Sequence, residues 1–225
     1  VTAPDNLPLF PLPLVVLPGE LKPLHIFEER YRELLRDCEA RAAAGGSGAF
    51  GILFVHAKGM AEIGTAVTVR KILKAYPDGR RDILVEGEAR FRLRRLVSQK
   101  TYDQGEVEWR SETPEDWDDA LANRVFVLHR RLLRATLDEE LADGFYGGTP
   151  SLSLRVAPSS ALTCAQKQQL LELDSENARL ALIAKHLESF LATLERAAEG
   201  CRALREFWAV RNLLRPDDPP PAEAD

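Results

Sequence analysis

The stretch Leu7–Phe27, LPLFPLPLVVLPGELKPLHIF, decides how the rest of the chain is read. It is as apolar as a membrane segment, yet prolines stand at Pro8, Pro11, Pro13, Pro18 and Pro23. A spanning helix needs about 20 residues with intact backbone hydrogen bonding. A proline inside a helix removes an N–H and clashes with the preceding turn, at a cost of about 3 kcal/mol or more. Irregularly spaced prolines throughout the stretch therefore exclude a helix. No basic run precedes it, as an export signal requires. The expectation is short strands and turns buried against a core, with a turn at Pro18-Gly19.

Working outward, the period changes after Phe27. Tyr31, Leu34, Leu35, Cys38 and Ala42 recur at helical spacing, behind Glu28 and Glu29 and ahead of Gly45-Gly46. The pattern predicts an amphipathic helix of about 15 residues. From Ala49 the signals are those of strands. AFGILFVH is apolar on both faces. Ile63, Val67 and Val69 share one phase and Ile72 takes the other, which implies a bulge near Arg70-Lys71. YPDGRR reads as a turn leading back into RDILVEG, a hairpin. ARFRLRRLV alternates, as does QGEVEWR with Val107 and Trp109 on one side. Several short strands with bulge signals favour a small barrel or a strongly bent sheet.

The second half reads as helices. Thr113 is the expected N-cap of the first, with Pro114 and Asp116 behind it and a stripe of Trp117, Leu121, Val125, Leu128, Leu132 and Leu133. DGFYGGTPS reads as a loop. Thr163 and Gln166 form a capping box, and Ser175 caps a longer helix with Leu180, Ile183, Leu187, Phe190, Leu191 and Leu194 on one side. Gly200 is placed to interrupt that helix. RPDDPPPAEAD reads as a disordered tail. The fold class is α+β: a bent, barrel-like β subdomain with one helix over residues 1–112, a helical subdomain over 113–215, and a tail over 216–225.

The chemistry is sparse. A formal net charge of -5 over 225 residues argues against general binding to nucleic acid or anionic membrane. Cys38, Cys164 and Cys201 are odd in number and far apart, without a CxxC pair. They promise neither a disulfide framework nor a zinc site, and a reducing cytoplasm is the default location. No cofactor is implied. A phosphate-binding loop is missing, since no Gly-Lys dipeptide occurs. Gly45, Gly46 and Gly48 lie after a helix and before a strand, the reverse of what a phosphate loop needs. His25, His56, His129 and His186 show no catalytic spacing. A cysteine and a histidine meeting in space is the remaining enzymatic route. Alternation places Arg90, Arg92 and Arg94 on one strand face, which could track phosphates. Phe91 lies in the opposite phase, so no stacking platform accompanies them. With Glu86 and Glu88 in the same phase, the expectation is a charge-balanced solvent face.

The order of three blocks carries a resemblance: LPLFPLPLVVLPGELKPLHIFEERYRELL, then IGTAVTV, then YPDGRRDILVEGEARFRLRRL. Together they resemble the N-terminal domain of the ATP-dependent Lon protease, and P-G-x-x-x-P-L-H-I-F-E-x-R-Y is the specific part. CAQKQQLLELDSENARLALIAKHLE is similar to the helical extension of that family. The resemblance implies a PUA-like β subdomain followed by helices, and a role in selecting unfolded or tagged polypeptides. Lon's motor and protease activities are not implied here, because neither domain is represented. The expected function is a stand-alone, non-enzymatic polypeptide- or protein-binding module. RNA binding through a PUA-like fold is the alternative. Phe10, Pro11, Leu12, Pro13, Pro18, Gly19, His25, Phe27, Arg30 and Tyr31 are the candidate binding or signature positions. Arg30 is expected to pair with a buried carboxylate or carbonyl.

Overall fold

A computed structural model describes residues 6–57, 59–97, 100–111, 118–137, 146 and 151–214, except the side chains of 203 and 206–214. The proline-spaced opening is extended, as its sequence demands. It forms β1 (Leu7–Leu12) and β2 (Leu21–Ile26), with Gly19 in a left-handed turn at φ 77° between them. The helix α1 (Glu29–Ala43) follows and buries Tyr31, Leu34, Leu35 and Cys38. Ala42 is exposed, so the apolar stripe ends one turn earlier than its spacing predicts.

The strands β3 (Phe50–His56), β4 (Gly59–Met60), β5 (Ile63–Ala75), β6 (Arg81–Val97) and β7 (Gln104–Arg110) complete the sheet. Its order β1-β7-β6-β5-β3 closes on itself through parallel pairing of β1 with β3. Closure leaves none of the ring strands with a fully open edge. The long β6 serves two neighbours on one side: Arg90–Val97 pairs with β7, while Arg81–Glu86 pairs with β2. The β5–β6 hairpin therefore runs beyond the ring as a three-stranded tip, β2–β6–β5. Register shifts at Val69/Lys71 and Ile72/Lys74 bend it, the first where the phase switch placed a bulge. A further shift sets Ala66 and Val67 opposite Ala89 and Gly87, leaving Glu88 as the extra residue. Gly87 is required here: a Cβ would lie 2.2 Å from the Leu17 carbonyl oxygen.

The helical part consists of α2 (Asp119–Leu137), α3 (Leu152–Val156), a 3₁₀ turn (Ala157–Ser159), α4 (Cys164–Glu172) and α5 (Glu176–Leu214). The Thr163–Gln166 capping box is formed on both sides. Ser175 Oγ accepts from the Ala178 N–H at 3.2 Å. α5 passes through Gly200 without a break. An exposed mid-helix glycine costs only about 1 kcal/mol, which a helix of this length absorbs. The expected cap at Thr113, Pro114, Asp116 and Trp117 lies outside the described residues. So do the division at residue 112, most of the 143–151 loop and the 216–225 tail.

The loop between β1 and β2 joins the two parts. Val15 and Leu17 pack into the helical core, while Val16 packs into the core under α1. The buried Glu20 accepts from the Leu17 N–H at 3.0 Å and pairs with Lys167 of α4 at 2.7 Å. Among the described residues no helix is long and apolar enough to cross a membrane.

Candidate functional site

The expected positions separate by strand phase. Phe10 and Tyr31 are core residues whose rings meet at a tilt of 37°, with centroids 4.0 Å apart. Burial, ahead of nearby charges, raises the Tyr31 pKa above the usual tyrosine range. Pro11, Leu12 and Pro18 are half-buried. Pro13 and Gly19 reach the surface. His25, Phe27 and Arg30 are exposed. Arg30 bonds the solvent-facing carboxylate of Glu28 at 2.9 Å and covers the Tyr31 ring at 4.6 Å, so the buried partner expected for it is not what it finds.

β2 alternates cleanly. Leu24 and Ile26 point into the core, whereas Leu21, Pro23 and His25 point outward. Phe27 continues the outward phase and is 58% exposed; Leu21 is 54% exposed. His25 is fixed from both sides. Its ring stacks on Phe27 with centroids 5.8 Å apart and meets Tyr76 edge-on at 5.9 Å. Its Nδ1 lies 2.5 Å from Asp82 Oδ1, and the Tyr76 hydroxyl donates to Asp82 Oδ2 at 2.8 Å. The His25 hydrogen bond, then that of Tyr76, holds the Asp82 carboxyl below the usual range. Lys74 Nζ and Arg80 Cζ sit 4.6 and 5.2 Å from the Tyr76 ring centroid. The result is an aromatic corner of His25, Phe27 and Tyr76, ordered by one carboxylate and rimmed by cations. Tyr76 and Asp82 were not singled out from sequence. Strand pairing brings them to His25, with only the turn signal of YPDGRR to hint at it.

The arginine face needs correction at its first member. Arg90 is 1% exposed, not on a solvent face. Arg90 pairs in register with the buried Thr65, on the strand face that α4 covers. Its Nη1 donates to the carbonyls of Leu171 and Leu173 at 2.8 and 2.7 Å, the last turn and cap of α4. A cation suits the negative end of a helix dipole. Arg110 of β7, the register partner of Arg90, pairs with Asp174 and holds that carboxyl below the usual range. Arg92 reaches Glu62 at 4.0 Å, Arg94 pairs with Glu108 and Arg95 with Glu106. The balancing carboxylates come from β7 and Glu62; Glu86 instead pairs with Arg70 at 2.7 Å, and Glu88 with Thr68 at 2.6 Å.

The cysteines and histidines are drawn to separate partners. Cys38 is buried and receives Arg41 Nη2 at 3.1 Å. Cys164 faces the Pro13 carbonyl, and Cys201 is exposed on α5. His186 lies between Gln166 and the Ser160 carbonyl at 2.9 and 3.0 Å. His129 is fully buried between Tyr146 Oη and Ser159 Oγ, at 2.9 and 2.8 Å. Burial lowers its pKa to about 4, so the imidazole is neutral and braces α2 against the 3₁₀ turn. Among the described residues no group of three or more His, Cys, Asp and Glu is arranged to hold a metal ion.

A ring of strands with helices fixed to one side, and an exposed aromatic corner on its projecting tip, defines an α+β domain that presents a surface. The substrate-binding domain of the ATP-dependent protease La (LON) matches residues 6–189, and the chain belongs to that family. It is similar to the Lon N-terminal domain protein from Xanthomonas campestris at 30% identity, covering 83% of this chain and 97% of that chain, with a TM-score of 0.59. The N-terminal domain of Mycobacterium avium complex Lon protease is 20% identical over 81% of this chain and 98% of that chain, TM-score 0.59, a likeness of fold alone. No curated protein matches the chain.

Proposed function

We propose that the chain is a non-catalytic module that binds extended, non-native polypeptide segments at the aromatic corner. The observation that carries this is the outward phase of β2 and its continuation: Leu21, Pro23, His25 and Phe27 put apolar and aromatic groups in solvent on one face. Large exposed apolar groups that share a patch mark interaction sites. The family description as a substrate-binding domain supports the same reading.

Side chains, not backbone pairing, are the means of recognition. Pro23 sits in the middle of β2, which among the described residues pairs with β6 alone. The tip of β5 carries Arg70, Lys71 and Lys74 and two register shifts. Proline, lysine and bulges are the devices that discourage strand addition at an edge. The cationic rim favours segments that mix apolar and acidic residues.

Fluorescence anisotropy with reduced, carboxymethylated lactalbumin tests the reading. Binding is expected at micromolar concentrations, weakened roughly tenfold by Phe27→Ala and by Leu21→Ser. No binding at about 100 µM, where recognition near −5 kcal/mol still registers, removes it. No observation favours RNA, because Arg90 is buried and Arg92, Arg94 and Arg95 face carboxylates.

A further inference from the structure

Behind the aromatic corner, a cavity of about 80 Å³ lies between α1 and the β5–β6 turn, lined by Ile26, Arg32, Leu35, Arg36, Gly79 and Arg81. A site for one water needs only about 10–15 Å³ on this measure, so the cavity has room for a small charged group. We propose that it binds a carboxylate carried by the polypeptide held at the aromatic corner. The proposal rests on the binding reading above, and its test separates the two.

Three guanidinium groups from two elements line the cavity, and the carboxylates that meet them are fewer. Glu29 is shared by Arg32 and Arg36, the latter at 3.0 Å, and Glu39 pairs with Arg81 at 2.6 Å. Among the described residues the guanidinium groups here outnumber their carboxylate partners by one, which matches a monoanion better than a dianion. Both glutamates are well exposed, with side-chain exposures of 64% and 45%. Exposed ion pairs of this kind are weak and yield to a better-placed anion. Arg32 also has a buried Nε–H without a hydrogen-bond partner. A buried donor of that kind requires an acceptor. Displacing Glu29 from Arg32 Nη2 would open the edge formed by Nε and Nη2 to an incoming carboxylate, which would then make the two parallel bonds for which guanidinium is shaped. Ile26 and Leu35 supply apolar walls, which strengthen such a contact.

The turn holds this geometry. Arg32 Nη1 donates to the Asp78 carbonyl at 2.6 Å. Gly79 has φ 86°, and a Cβ there would lie 3.0 Å from Arg32 Nη1. Glycine thus makes the turn and spares the arginine. The cavity opens on the other face of β2 from the aromatic corner, since Ile26 points inward where His25 and Phe27 point outward. Ile26 and Arg81 form the register pair that follows His25 and Asp82, one step of about 3.3 Å along the strand. A segment held at Phe27 reaches the arginines by turning around the end of β2, a path of a few extended residues at about 3.3 Å each.

The test is a titration of the ¹⁵N-labelled full chain, following the arginine Nε–Hε signals by NMR. The probes are sodium acetate, N-acetyl-Phe-Leu-Phe with a free carboxylate, the same peptide as its amide, N-acetyl-Phe-Leu-Glu-amide and inorganic phosphate. Acetate and the free-acid peptide are expected to move the Arg32 and Arg81 signals, with the amide binding about tenfold more weakly than the acid. Arg32→Gln combined with Arg81→Gln should erase the acid–amide difference and leave the amide affinity unchanged. Phe27→Ala should weaken both peptides and leave the acetate shifts intact. Movement by the Glu peptide equal to that by the free acid supports the proposal with a side-chain carboxylate as the source; movement by the free acid alone supports a chain terminus. If acid and amide bind equally while the arginine signals stay still, the carboxylate site is wrong and the polypeptide reading stands. If acetate moves the signals but no peptide binds, the polypeptide reading falls and takes the assigned source with it. Phosphate displacing acetate at one tenth of its concentration overturns the carboxylate assignment.

Discussion

Arg90 brings a permanent charge into the seam between sheet and helices, and two carbonyl groups receive it there. Leu173 keeps a second donor in Arg179 Nη1 at 2.9 Å. Leu171, in the last turn of α4, takes its bond from Arg90 at the negative end of the helix. Arg90→Ala should therefore lower stability by about 3 kcal/mol, with Arg90→Lys losing less, as read from urea midpoints. His129 carries the second prediction at this scale. Well above the ordinary histidine pKa of about 6.5 its imidazole is neutral whether the chain is folded or not. As pH falls the unfolded chain takes up the proton first, while the buried imidazole stays neutral to about 4. Stability should fall across that window, on the order of 1 kcal/mol per pH unit. Urea unfolding at stepped pH should show a flatter profile for His129→Gln between those limits. An identical slope in both proteins would mean that other groups dominate the acid response.

At the scale of elements, the tip β2–β6–β5 is the feature on which the site depends. Gly87 lets the loop Leu17–Glu20 cross β6 closely. Gly19 N–H donates to the Gly87 oxygen at 2.7 Å, and Gly87 N–H donates to the Glu20 oxygen at 3.0 Å. Gly87→Ala puts a methyl group against backbone that cannot yield. A loss of about 2 kcal/mol or more is expected, together with weaker polypeptide binding, since β2 starts from this crossing. Denaturation and anisotropy on the same variant check both halves. The elements themselves were largely legible. α1 came from the spacing of Tyr31, Leu34, Leu35 and Cys38, and the α4 cap came from Thr163 and Gln166. Gly200 misled because propensity is a weak, local term that a long helix overrides. The exposed face of β2 could have been read from the alternation of Leu21, Pro23, His25 and Phe27. The apolar character of the whole stretch concealed it.

At the scale of the molecule, the loop after β1 commits neighbouring residues to different cores: Val15 and Leu17 to one, Val16 to the other. Glu20 and Lys167 pair across the same seam. Separating the two parts would expose these apolar side chains and strand the ion pair, so they should unfold together. Tryptophan fluorescence and far-UV circular dichroism are expected to give coincident urea transitions. Two resolved transitions would show that the parts fold independently.

The sequence alone determined that Leu7–Phe27 is extended, because proline forbids the helix its hydrophobicity would otherwise favour. By the same local rules it determined α1, the β5–β6 hairpin with its bulge, and the two caps of α4 and α5. Such features depend on neighbours a few residues apart. The ring closure, the burial of Arg90 under α4, and the meeting of His25 with Tyr76 and Asp82 were decided only by tertiary structure. Each depends on register between strands distant in sequence or on which strand face α4 covers, and neither is written in the local pattern around Arg90.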